Sequence, residues 1–155
     1  MKPDIKPQYH AAISLATGAA LYLHTGSASA AWSCVIAGIF MDIDHLPDYF
    51  IHTGFKLKKP ADFFTACDRT ELPKLYLILH SYELILIFFL VGYLRGWSNL
   101  MLGIGAGFFV HILLDQVANS IRYGLRPFFY FLTFRGLKRF RREFLTYERF
   151  PAGLS

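Results

Sequence analysis

Histidine and aspartate recur at the edges of the apolar stretches of this chain, and they recur in pairs. Asp42 and His45 stand three residues apart, as do His80 and Glu83; His111 and Asp115 stand four apart, and His10 heads a row with Ser14 and Gly18 spaced by four. Residues three and four apart share one face of a helix, so each pair predicts two donors aimed the same way. Imidazole nitrogen and carboxylate oxygen without thiolate suit a divalent metal, Zn first with Mn or Fe as alternatives, and several carboxylates together have the capacity for two ions. The predicted ligands are His10, Asp42, Asp44, His45, His80, His111 and Asp115, with Asp44 also a catalytic candidate. Glu83, where it is not a ligand, is the candidate general base, because burial raises a carboxyl pKa toward the working range. Asp48 is a borderline member, since Pro47 reads as a helix end that releases it to solvent. His24 and His52 read as lying outside the cluster, and Cys34 and Cys67, which form no CxxC pair, read as packing residues.

Those donors need elements to carry them, and composition says what kind. The 155 residues are 54% hydrophobic and 17% charged, with a mean hydropathy of +0.35, too apolar for an ordinary soluble domain of this length. Four apolar stretches are separable: Tyr9 to His24, Ala28 to Ile43, Leu75 to Leu94 and Asn99 to Val117. A spanning helix needs about 20 residues, which the first two reach by borrowing flanking residues, as a tight hairpin turning at Thr25-Gly26-Ser27. A cleavable signal peptide ending near Ala28-Ser29-Ala30 is the competing reading of the first stretch; Ser14, Thr17 and Gly18 interrupt its apolar run, and Asp4 sits in its supposed basic region. The expected fold is all-α, an integral membrane four-helix bundle over residues 1–120, followed by an amphipathic interfacial segment over 121–155. Gly103 and Gly107 lie on the same row as His111, Asp115 and Asn119, and a Gly-x-x-x-Gly stripe lets a neighbouring helix approach closely in lipid.

Charge placement orients this bundle. Of the 16 Lys and Arg residues only Arg95 falls on the side opposite the rest, so both termini and the central loop are expected at the cytoplasmic face of an inner (plasma) membrane crossed several times. In that topology every predicted donor lies at the cytoplasmic end. The C-terminal run sets Leu137, Phe140, Phe144 and Leu145 at helical spacing among Lys138, Arg139, Arg141 and Arg142, as expected of a helix lying on anionic lipid. Membrane lipids are thus the expected partners and nucleic acid is not, because membrane orientation already accounts for the basic bias. Lys74, Arg122 and Arg126, near the same face, are candidates for holding a substrate phosphate.

At these residues the chain resembles the LexA-regulated, membrane-bound metal-dependent hydrolase family, itself broadly similar to zinc-dependent phospholipase C. The pieces that carry the resemblance are the His10 to Gly18 start, Asp42-Ile43-Asp44-His45, His80-Ser81 and His111-x-x-x-Asp115, in that order, over most of the chain up to about Asn119. The family's His-Arg pair upstream of His-Ser is replaced by Leu75-Tyr76, and Glu83 is the residue available to substitute for the missing ligand. The resemblance implies metal-dependent hydrolysis, with a lipid phosphoester as the natural substrate for a site at head-group depth. The alternative from the residues alone is a non-catalytic metal site, structural or for transport, that ties four short helices together.

Overall fold

The computed structural model describes residues 7–54 and 72–147. These form six α-helices, which we number α1 (Pro7–Thr25), α2 (Ala28–Phe40), α3 (His45–Thr53), α4 (Tyr82–Arg95), α5 (Asn99–Tyr123) and α6 (Leu132–Leu137), with 3-10 turns at Met41–Asp44 and Arg142–Phe144. Among the described residues there is no strand, only two isolated antiparallel bridges, Lys74 with Arg141 and Leu125 with Thr146. The all-α expectation holds. The hairpin also turns where expected: Gly26 takes φ +66°, a left-handed conformation that costs glycine little, and the Ser27 side chain accepts the Ala30 amide as the cap of α2.

Helix α2 lies against both α1 and α5, and small residues set the distance. A Cβ placed on Gly107 would come within 2.4 Å of the Cys34 carbonyl oxygen, one on Gly103 within 2.1 Å of the Ala30 carbonyl oxygen, and one on Gly38 within 2.2 Å of Ser14 Oγ. The Gly103/Gly107 stripe and the His10, Ser14, Gly18 row are thus the faces along which the backbones nearly touch. A second, conventional apolar core gathers Met41, Ile85, Ile112, Phe129, Tyr130 and Leu145 beneath the C-terminal segment.

Four expectations are corrected. The second apolar stretch is α-helical only to Phe40, then tightens into a 3-10 turn that carries Asp42 and Asp44. Pro47 does not end a helix: it sits in the first turn of α3, where its missing N–H has no helical partner to lose. The third stretch is helical only from Tyr82, because Ser81 caps α4 by accepting the Leu84 amide, and Leu75 to Ser81 form a loop. Through Tyr147 the C-terminal segment is not a long amphipathic helix; six residues form α6, and Phe129, Tyr130, Arg135 and Leu145, each at most 3% exposed, pack into the molecule, while 148–155 of the expected segment lie outside the described residues. Among the described residues one helix, α5 with 25 residues, is by length and composition long and apolar enough to cross a membrane. At 13 and 14 residues α2 and α4 fall short of the length a straight span needs, so the described elements bear out the all-α fold with one candidate span and do not by themselves establish a four-span bundle.

Candidate metal centre

Helix α5 brings His111 and Asp115 inward on its glycine row, the 3-10 turn brings Asp42 and Asp44, and the loop before α4 brings His80. His80 and His111 are each 1% exposed. Their outer nitrogens are committed. His111 Nδ1 lies 2.6 Å from the Gly38 carbonyl oxygen, which can only accept, so this nitrogen donates. His80 Nδ1 donates to Asp44 Oδ1 at 2.8 Å. In the neutral rings both Nε2 atoms therefore carry lone pairs, and these two atoms face each other at 3.2 Å. Such an arrangement calls for a cation or a proton between them.

Two carboxylates complete the group. Asp42 Oδ1 lies 3.5 Å from His80 Nε2 and 3.3 Å from His111 Nε2; Asp115 Oδ2 lies 3.2 and 3.4 Å from the same atoms. Four donors at the usual bond length from one tetrahedral ion stand about 3.3–3.4 Å apart, so these spacings match the edges of that tetrahedron. The four donors fit a divalent cation in type and along five of the six edges: this buried His/Asp group can hold a metal ion.

The surrounding residues orient the donors. His10 Nε2 lies 3.2 Å from Asp115 Oδ1, the oxygen turned away from the imidazole pair, and its ring stacks on His111 with centroids 4.1 Å apart. Asp44 uses its second oxygen to accept the Leu79 and His80 amides at 2.7 and 3.3 Å. Burial alone would raise the Asp44 carboxyl, but the His80 hydrogen bond, that ring's charge and the Leu79 amide hold it below the usual carboxylate range. His45 Nε2 approaches Asp42 Oδ1 at 3.8 Å, its ring meets the His80 ring edge at 5.2 Å, and Asp44, His45 and His80 form a second, overlapping donor group.

No family model, curated protein or solved structure matches this chain. The site is therefore read from its own geometry.

All seven predicted ligands meet here, with Asp42, His80, His111 and Asp115 around one point and His10, Asp44 and His45 against them. Glu83 does not join them. Its spacing from His80 placed both on one helical face, but α4 starts between them, and the Glu83 carboxylate instead accepts the Leu132 and Thr133 amides and the Thr133 hydroxyl at 2.7 to 2.9 Å, capping α6. The predicted phosphate-binding cations are also held elsewhere. Arg122 lies over the Tyr123 ring and Arg126 over the Tyr147 ring, while Lys74 lines a cleft of about 360 Å³ with Arg141, His52 and Tyr76. Asp48 is not released to solvent; it is 1% exposed and accepts the Tyr76 and Leu77 amides at 2.8 and 3.3 Å. Burial pushes its carboxyl up to about 6 against those two bonds. His24 and His52 stay outside the donor groups. Sequence reasoning missed the Gly38 carbonyl and Arg135; a backbone acceptor leaves no mark in a sequence, and Arg135 stands among basic residues already explained by charge orientation.

Proposed function

We propose that the chain is a membrane-embedded, metal-dependent hydrolase whose ion is held by Asp42, His80, His111 and Asp115. The observation that carries this reading is the pair of Nε2 atoms facing each other at 3.2 Å, both with lone pairs in the neutral rings and ringed by two carboxylate oxygens. Imidazole with carboxylate, and no thiolate, is the donor chemistry of hydrolytic zinc and manganese centres more than of closed structural zinc sites. A divalent ion held there supplies Lewis-acid chemistry, lowering the pKa of water and polarising a phosphoryl or carbonyl oxygen. His80, His111 and Asp115 are buried, whereas the Asp42 side chain is 39% exposed; Asp42 is thus the edge by which water and substrate reach the centre. His10 and Asp44 hold Asp115 and His80 in orientation.

Membrane embedding is supported by α5 and by large apolar side chains left exposed on several helices, among them Leu23 at 85%, Leu94 at 71%, Leu86 at 70% and Ile121 at 61%. The resemblance to the LexA-regulated hydrolase family and the site's place in such a molecule favour a lipid phosphoester as substrate and zinc as the ion. The second reading, a structural or transport ion, is favoured by the four protein donors themselves, since a filled tetrahedron leaves no position for water. Purified protein loaded with zinc or manganese decides between them: hydrolysis of a phospholipid or phosphoester, lost in His111→Ala and reduced at least tenfold in Asp42→Asn, supports the hydrolase. Turnover that survives in both variants sinks it, and metal that only raises the melting temperature selects the structural site.

A further inference from the structure

Leu75 to Ser81 deliver His80 to the centre without any regular structure of their own; beyond the bond from the Ser81 hydroxyl to the Ile78 carbonyl, the holds on this loop come from elsewhere. Its amides are taken by two carboxyl groups: Asp48 Oδ2 accepts from Tyr76 and Leu77, and Asp44 Oδ2 from Leu79 and His80. Its carbonyls are taken from the other side. Arg135 Nη2 donates to the Leu77 carbonyl at 2.9 Å and to the His80 carbonyl at 3.0 Å. Leu77, gripped on both its N–H and its C=O, sits at φ +42°, a left-handed conformation that costs a branched side chain about 1–3 kcal/mol and persists only where the surroundings enforce it.

Arg135 is wholly buried, the largest side chain among the described residues to be so. Its Nε and Nη1 have no hydrogen-bond partner among the described residues, and its guanidinium lies 5.7 Å from the centre of the Phe129 ring. A buried guanidinium that leaves two nitrogens unpaired is a costly way to stabilise a fold, so its two bonds to this loop are where its return lies. The rest of the C-terminal segment holds the same stretch: Arg142 N–H donates to the Pro73 carbonyl, Leu75 N–H to the Phe140 carbonyl and Tyr82 N–H to the Tyr130 carbonyl.

We infer that Arg135 is a positioning residue for the metal centre, clamping the strained 77–80 loop so that the His80 imidazole meets His111, and that the C-terminal segment serves as the strap carrying this clamp. The inference rests on the metal reading above, which it deepens by assigning the centre's geometry to a segment outside the donor-bearing helices. Groups that orient ligands from behind typically change metal affinity by about 10–100-fold, and a loop clamp acts through the same route.

The test uses the full chain in detergent micelles, loaded with Co²⁺ as a visible stand-in for Zn²⁺. In Arg135→Met, zinc affinity is expected to fall about 10-fold or more, the Co²⁺ absorption bands to change shape, and the Leu79 and His80 amides to exchange faster, with exchange in α1, α2 and α5 unchanged. Arg135→Lys is the second variant: one nitrogen makes both bonds, so a lysine ammonium can replace it, and affinity and spectrum are expected to return to within about threefold of the parent. Parent-like affinity and spectrum in Arg135→Met overturn the clamp and leave the metal centre standing. A parent protein that takes up no metal, yet whose loop amides are freed in Arg135→Met, removes the metal centre and keeps the clamp. If Arg135→Met does not fold, Arg135→Lys alone decides: a parent-like spectrum supports the clamp, and folded protein with an altered spectrum and no gain in loop exchange overturns it.

Discussion

Two imidazoles whose Nδ1–H groups donate to fixed acceptors are built to present lone pairs at Nε2, and the acceptors differ in what they permit. The Gly38 carbonyl cannot change charge, so His111 keeps one tautomer at any pH where it is neutral. Asp48 is the contrasting residue, a buried acid whose role is to hold amides. Its folded-state pKa of about 6 lies above the ordinary 3.8. The fold therefore favours its protonated form; the associated stability is fully present below pH ~4 and is lost as pH rises through about 6. Asp44 nearby adds to the upward shift and His52 opposes it. Asp48→Asn stays neutral throughout, so between pH 4 and 7 the variant should gain on the parent by roughly 1–3 kcal/mol, at 1.36 kcal/mol per pKa unit. Chemical denaturation of both proteins with a chelator present measures this, and a constant gap across that range would mean that Asp48 titrates in the fold as it does in water. The donors themselves were legible in sequence because ionisable groups beside apolar runs are expensive and therefore conspicuous. Asp48 was not, since the side chain's fate turned on whether Pro47 begins or ends a helix.

At the level of elements, the centre depends on how closely α2 and α5 approach, for His111 can reach the Gly38 carbonyl only where no Cβ separates the helices. Gly107 lies one turn before His111, and a methyl there would sit 2.4 Å from the Cys34 carbonyl oxygen and 3.0 Å from Gly38 N, both backbone atoms that cannot step aside. Gly107→Ala should therefore destabilise the protein by about 1–3 kcal/mol or more and weaken metal uptake with it. Gly105→Ala, whose Cβ would have the Phe88 and Phe89 rings as its nearest neighbours at 3.3 to 3.5 Å, is expected to cost much less and serves as the comparison in thermal melts. Equal melting temperatures for the two variants would remove the close-packing argument. This glycine row was readable from spacing alone, as were the α1/α2 hairpin and most of α5. The start of α4 was not, because Leu75 to Leu79 are as apolar as the helix that follows. Apolarity identifies burial, not helix, and the deciding signal was the Ser81 cap, which moves His80 into a loop and Glu83 onto the far side of a boundary. The misreading of Glu83 follows from that one residue.

For the whole molecule, the polar centre and the apolar exterior belong to one solution of the same problem. A cluster of four histidines and three aspartates is placed where α1, α2 and α5 meet, and the outer faces of those helices and of α4 keep Leu15, Trp32, Ile36, Leu86, Leu90 and Phe109 exposed. In water such surface would drive aggregation; in lipid it is the solvent-facing surface, and the small residues between helices provide the contact that hydrophobicity cannot. Short helices fit the proposed embedding when the molecule is anchored by α5 and the others enter the bilayer without each crossing it squarely, with the backbone of non-helical chain bonded to protein, as the amides and carbonyls of the 75–81 loop are. The expected outcome is a protein that stays with the membrane fraction after an alkaline carbonate wash and needs detergent for release. Its detergent-solubilised form should gain thermal stability on zinc addition, about 2.7 kcal/mol at a free concentration 100 times the dissociation constant. The gain should vanish in His111→Ala while membrane retention does not, because retention comes from the exterior and the metal effect from the centre. Release into the wash by the parent protein would count against embedding however tightly the centre bound its ion.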